Sequence, residues 1–151
     1  MTDKNREEVT TIQISEESRD VVRKMKEHDL LSLGMGEGDS NTKDIYLLAV
    51  ALGLDSPPEK LNKPYPWTRA SYFGTEDKAL IMSVLFGTLN DADDVASHCD
   101  TKEAFSYCRQ LTDAGFRRLD EFAAGAMYDP DLMARKMLDY VASKYDEVIK
   151  E

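Results

Sequence analysis

Lys43-Asp44-Ile45-Tyr46-Leu47-Leu48-Ala49-Val50-Ala51-Leu52-Gly53 is the stretch that decides the fold class. Ile45, Leu48, Ala49 and Leu52 fall at i, i+3, i+4 and i+7, the spacing of a core-facing helical stripe. Tyr46, Leu47 and Val50 are apolar too, which predicts a central helix over about 43–54, buried on most sides. Thr42 stands where an N-cap belongs. Gly53 and then Asp55-Ser56-Pro57-Pro58 end the helix. A helix apolar on most sides needs neighbours around it, and the remaining sequence supplies them.

Upstream, residues 1–8 are polar and predict a disordered end. Val9–Ile14 (VTTIQI) alternates with period two and is β-branched, the pattern of a short strand with Thr10, Ile12 and Ile14 on one face. Ser15 predicts an N-cap, with Glu16 and Glu17 favourably placed in the first turn of a helix over 16–30. That helix buries Val21, Val22, Met25 and Leu30. Leu33–Ser40 reads as a glycine-rich loop. Downstream, Glu59–Gly74 predicts an ordered, irregular connection with room for one short strand. Thr75 predicts the cap of a helix over 76–89 with the stripe Leu80, Ile81, Val84 and Leu85. A short helix follows from Asn90 or Asp91 to His98. Thr101 then caps a longer one carrying Phe105, Cys108, Leu111 and Thr112, with a kink or break expected at Gly115 before Phe116, Leu119 and Phe122. Gly125 ends it, and Asp129-Pro130 restarts the chain, a cap followed by proline at the first helical position. The last helix uses Leu132, Met133, Met137, Val141, Tyr145 and Val148. The expectation is a mainly α, single-domain helical bundle of about six helices with a short N-terminal strand, one domain over 1–151.

The chain has 151 residues, a formal charge of −10 and an apolar fraction of 42%. That length suits one domain, and the composition is that of a globular protein that needs no disulfide or metal staple. No apolar run approaches the roughly 18 residues of a membrane span. MTDKNREEVT leads into no hydrophobic segment of a secretory signal. Cys99 and Cys108 read as reduced thiols, and the expected location is cytoplasmic. The negative charge repels phosphate backbones at long range and disfavours direct DNA binding.

Residues able to carry chemistry are sparse. Gly34, Gly36 and Gly38 follow a helix, and their spacing departs from the G-x-G-x-x-G of a dinucleotide cradle. His98, Cys99 and Cys108 fall short of the four ligands of a closed zinc site. Asp91, Asp93 and Asp94 lack the glycine and glutamate of a calcium loop, which would fall at Ala96 and Lys102. No serine or cysteine stands in a recognised nucleophile setting. The sequence therefore predicts no enzyme, no cofactor and no metal. Lys60–Phe73 is different: it has no acidic residue and forms a basic island in an acidic chain. Lys60, Lys63, Tyr65, Trp67, Arg69 and Tyr72 are the candidate interaction surface. Aromatics interleaved with cations suit a protein interface or base stacking; they suit equally a loop anchored on the core by Trp67 and Phe73. The order strand, helix, helix over 9–54 also follows ribbon-helix-helix DNA binders, although the strand holds no arginine or lysine. An acidic DNA mimic would need its acids on one face, and here they spread along the chain.

The run 43–53, the proline-containing segment with Trp67 and Phe73, Glu76-Asp77-Lys78-Ala79, and Ala114-Gly115-Phe116 with Leu119 occur in an order that resembles a family of small proteins associated with DNA phosphorothioation (Dnd) systems. The likeness covers residues 12–149 in outline. It implies a prokaryotic antiviral defence setting beside DNA modification and restriction components. The implied role is accessory, through protein contacts with a larger component, and the family offers no catalytic residues to carry over.

Overall fold

In the computed structural model, which describes residues 11–30, 40–88 and 100–149 (40, 41, 148 and 149 by backbone alone), the N-terminal alternation forms strand β1, Thr11–Ser15. Ile12 and Ile14 are buried, as the period-two pattern requires. The mate of β1 is β2, Pro64–Arg69, which runs antiparallel and pairs Thr11 with Arg69 and Ser15 with Pro64. Between the Ile12–Thr68 and Gln13–Pro66 pairs, β2 carries one residue more than β1, and this bulge falls at Trp67. The intrachain pairing occupies one edge of β1, the kind of contact that a ribbon-helix-helix protein makes with its dimer partner.

Six α-helices are described: α1 (Glu16–Glu27), α2 (Ser40–Leu52), α3 (Thr75–Phe86), α4 (Thr101–Arg109), α5 (Thr112–Gly125) and α6 (Pro130–Ile149). Ser15 caps α1, its hydroxyl accepting from the Ser18 amide at 3.1 Å. This helix stops short of the expected residue 30. Asp29 adopts a left-handed φ of 53°, and the Leu30 amide turns back to the Met25 carbonyl at 2.9 Å, which still delivers Leu30 to the core.

Three caps differ from expectation. α2 begins at Ser40, so Thr42 lies inside it, its hydroxyl bonded to that of Thr68 at 2.7 Å. At α3 the Asp77 carboxylate accepts from the Gly74 amide at 2.9 Å, and Thr75 is already helical. Asp100, not Thr101, caps α4 by accepting from the Lys102 amide at 3.0 Å. Asp129 does cap α6, accepting from the Asp131 and Leu132 amides at 2.9 and 3.2 Å. The predicted short helix 90–98 and the loop 33–39 lie outside the described residues, as do 1–8.

α5 is the hub, touching α1, α2, α6 and β1. The expected break at Gly115 falls instead at Gln110–Leu111, between α4 and α5. Gly115 serves another purpose. A Cβ placed on it would lie 1.7 Å from the Ala49 carbonyl oxygen, and one on Gly53 would lie 2.0 Å from the Leu111 carbonyl oxygen. The backbones of α2 and α5 thus meet where neither glycine has a side chain. Around this crossing Tyr46, Phe73 and Phe105 stack edge to face, with centroids 5.9 and 5.1 Å apart, and join α2, the 3₁₀ turn at 70–72 and α4.

Buried polar groups fix the layers. The Ser15 and Ser18 hydroxyls both donate to Asp113 Oδ1, the latter at 2.6 Å, and tie the start of α1 to the start of α5. α6 packs through Met133, Met137 and Tyr140. Arg118 donates to the Leu52 carbonyl at 3.2 Å and to the Tyr140 hydroxyl, and Asp55 takes Lys144 at 2.8 Å. Of the residues expected to face the core, Leu80, Val141 and Tyr145 are exposed. On α6 the last two join Leu138 in an outward apolar row, because the inward row is 133, 137, 140 and 144. No helix among the described residues is long and apolar enough to cross a membrane.

Two predictions follow from these contacts. In urea denaturation, Gly115→Ala destabilises the fold by about 3 kcal/mol or more, since backbone on both sides leaves the new methyl no room. Gly125→Ala, whose Cβ would meet only Lys136 side-chain atoms at 3.7 Å or beyond, is neutral or stabilising by up to about 1 kcal/mol through helix propensity. The second concerns Lys43, which holds Asp77 at 2.9 Å. Burial pushes the Asp77 carboxyl up, but Lys43 and the Gly74 amide outweigh it, leaving it below the usual 3.8. Its contribution to stability is therefore complete at neutral pH and is lost as pH falls through the lowered value. In Lys43→Met, an NMR titration finds the Asp77 carboxyl protonating at higher pH than in the parent protein, with acid unfolding beginning correspondingly earlier.

Candidate interaction surface

β2 places Tyr65, Trp67 and Arg69 along one short strand, with Tyr72 following in the 3₁₀ turn. Trp67 is half-buried, and its indole N–H donates to the Thr42 carbonyl at 2.9 Å. The bulged strand is thereby pinned to the first turn of α2. Trp67 is thus an anchor that still shows part of its ring. Beside it, Trp67, Arg69 and Tyr72 share with Thr11, Thr42 and Thr68 a shallow depression of about 250 Å³.

Two cations that sequence reasoning missed complete the patch. The Arg19 guanidinium lies 4.3 Å from the centroid of the Tyr65 ring, and Lys26 Nζ lies 5.6 Å from that of Trp67. Both belong to the outward face of α1, where Arg19, Arg23 and Lys26 recur at i, i+4 and i+7. That spacing was present in the sequence, but nothing in it indicated that β2 would lie across this helix. Arg23 is engaged with Asp20 at 3.1 Å.

The candidate residues divide accordingly. Trp67, Arg69 and Tyr72 come together around the depression, while Tyr65 lies under Arg19 of α1. Lys63 is exposed and reaches Glu16 at 3.6 Å, so its charge is met locally. Lys60 is exposed too and makes no contact with the patch among the described residues; it follows Glu59, whose amide donates to the Gln110 carbonyl at 2.8 Å and whose carboxylate takes Arg117 at 2.7 Å. The island that is continuous in sequence is divided in space, with one end at the α4–α5 turn and the other against α1.

The other candidates from the sequence take no part. Cys108 is buried on α4, its thiol directed to the Ile81 carbonyl at 3.7 Å and pushed up by burial to about 12, so it is no nucleophile at neutral pH. Gly34, Gly36, Gly38, Asp91, Asp93, Asp94, His98 and Cys99 lie outside the described residues. Among the described residues no group of three or more His, Cys, Asp or Glu is arranged to hold a metal ion. Ser15, Ser18 and Asp113 form a buried hydroxyl–carboxylate cluster that no histidine among the described residues joins, and its hydrogen bonds account for it as a structural tie.

No protein family, curated protein or solved structure matches this chain.

A lysine ammonium stands over the Trp67 ring in a chain of net charge −10, and this single tryptophan reports on the local field. Iodide quenches Trp67 fluorescence more strongly than caesium at low ionic strength, despite the net charge of −10. In Lys26→Glu/Arg69→Glu the order reverses, and salt near physiological strength reduces both preferences.

Proposed function

We propose that this protein is a non-enzymatic accessory component of a prokaryotic DNA phosphorothioation-linked modification or restriction system, and that it docks on a larger, acidic protein surface of that system. The observation that carries the docking surface is the meeting of Arg19 and Lys26 of α1 with Tyr65 and Trp67 of β2, from two segments distant in sequence, in an otherwise acidic chain. Exposed cations held over aromatic rings suit a partner that brings carboxylates and an apolar edge. The resemblance of 43–53, 76–79 and 114–119 to the phosphorothioation-associated family supplies the setting. The same cations could touch phosphates. However, β1 contributes no cation and already pairs with β2, and the acidic remainder of the chain opposes a nucleic-acid footprint beyond this small patch.

Co-expression with the modification and restriction components of such a system tests this. The protein co-purifies with one of the larger components at physiological salt, and Lys26→Glu/Arg69→Glu, which leaves the Trp67 anchor intact, reduces capture by at least about tenfold. Fluorescence anisotropy with plain and phosphorothioate duplex shows no saturable binding at that salt. Saturable binding to either duplex, or capture indifferent to the double charge reversal, would sink the proposal.

A further inference from the structure

α6 is fastened to the rest of the molecule along one row, through Met133, Met137, Tyr140 and Lys144. From Val141 to Glu147 only Lys144 is even half-buried, so two turns of the helix run along the outside. Helices draw most of their stability from packing an apolar face, and a stretch like this is marginal by itself. It nonetheless carries such a face. Leu138, Val141 and Tyr145 are 68%, 59% and 64% exposed, and Ala134 is exposed too. The four recur at intervals of four, three and four residues, and the sequence continues the spacing at Val148. This alternation is that of a heptad seam, which packs against another helix. The charges beside the seam are sorted by end. Toward the N-terminus stands Arg135, exposed and with no ion pair or side-chain hydrogen bond among the described residues. Toward the C-terminus Asp139, Ala142 and Asp146 line an open depression with Ser143 and Glu147, and neither aspartate has an ion pair among the described residues.

We infer that this face of α6 is where a second copy of the chain docks, with the two α6 helices antiparallel. Antiparallel alignment sets the helix dipoles favourably and brings the Arg135 end of each helix to the acidic end of the other. With the seams in register, Leu138 of one copy faces Val141 of the other, and Ala134 faces Tyr145, small opposite large. Arg135 of each copy then comes to Ala142 of the other, between Asp139 and Asp146. The small alanine leaves the guanidinium room to reach either carboxylate. One surface thus holds both the cation and its receptor, which is what a twofold contact between identical surfaces requires. A parallel pair would instead set Arg135 against Arg135 and acid against acid. The seam from Ala134 to Tyr145 is about 17 Å long at 1.5 Å per residue. A single helix pair of that length lies at the small end of specific interfaces, so the dimer forms at micromolar concentration and above and dissociates on dilution. It uses none of the residues of the Tyr65–Trp67 surface and does not rest on the accessory role.

The test is sedimentation equilibrium of the full chain at physiological salt, from micromolar to millimolar concentration, with circular dichroism to confirm that each variant folds. The parent chain shows a reversible monomer–dimer equilibrium. Leu138→Glu, at an exposed position, leaves the fold intact and weakens self-association by about tenfold or more. Arg135→Glu and, separately, Asp139→Lys/Asp146→Lys each weaken it by about tenfold. An equimolar mixture of those two variant chains dimerises about as strongly as the parent, because each supplies the charge that the other's depression now takes. A parent chain that stays monomeric throughout, a dimer indifferent to Leu138→Glu, or charge variants that fail to pair with each other would overturn the inference; the first would assign the α6 face to a different protein.

Discussion

Two glycines set the distance between α2 and α5, and much of the molecule is arranged around that distance. Helices in ordinary contact keep their axes about 8–10 Å apart because side chains stand between them. Here Gly115 lies against the Ala49 backbone and Gly53 against that of Leu111, so main chain meets main chain. The crossing is reciprocal: Gly115 of α5 meets the Ala49 carbonyl of α2, and Gly53, just past α2, meets the carbonyl of Leu111, just before α5. With α2 held this close, Tyr46 on one side of it reaches Phe73, and Leu52 at its end presents a carbonyl to Arg118. α5 therefore carries the attachments of α1, through Asp113, and of α6, through Arg118 and Phe122, without a second central element.

The polar interactions divide into two kinds. Inside, Asp113 receives two serine hydroxyls, and its place in the first turn of α5 puts the carboxylate where the helix dipole favours it. Outside, Arg117 spans Glu17 and Glu59, while Lys144 and Arg118 gather around Asp55 and Tyr140. Surface pairs of this sort contribute little singly. Their value is positional: they join α1, the 53–59 turn and α6 to the same hub. The cations over β2 have no such duty, which leaves the Tyr65–Trp67 face and its charges available for an encounter.

Much of this was legible in the sequence, and the failures have physical reasons. The apolar spacing in 43–53 gave α2, the alternation of Ile12 and Ile14 gave β1, Ser15 gave the first cap, and Asp129-Pro130 gave the last restart. Caps went wrong where two capable residues stood together. Asp100 precedes Thr101 and takes the cap position. Thr75 sits beside Gly74, and the distinguishing atom is the Asp77 carboxylate three residues on. Gly115 was misread because a glycine within a helical pattern signals either a break or a close neighbour, and only the opposite helix decides between them. Val141 and Tyr145 were assigned to the core because α6 has two adjacent apolar rows, and periodicity alone does not say which row faces in. The site was half legible. Composition pointed to 60–73, but the covering cations of α1 and the separation of Lys60 from Trp67 depend on where the chain folds back.

The close contact of α2 and α5 also bears on how this chain can drift over generations. A surface residue can change freely, and a core leucine can trade with isoleucine or methionine, but a methyl group at either glycine has nowhere to go unless the two helices separate. Separation would strand the Tyr46–Phe73–Phe105 stack and the Arg118 contacts together. Two short words, Ala49-x-x-x-Gly53 and Leu111-x-x-x-Gly115, are thus tied to each other more tightly than to their own neighbours in sequence. A distant cousin that has lost every other visible likeness should still spell both.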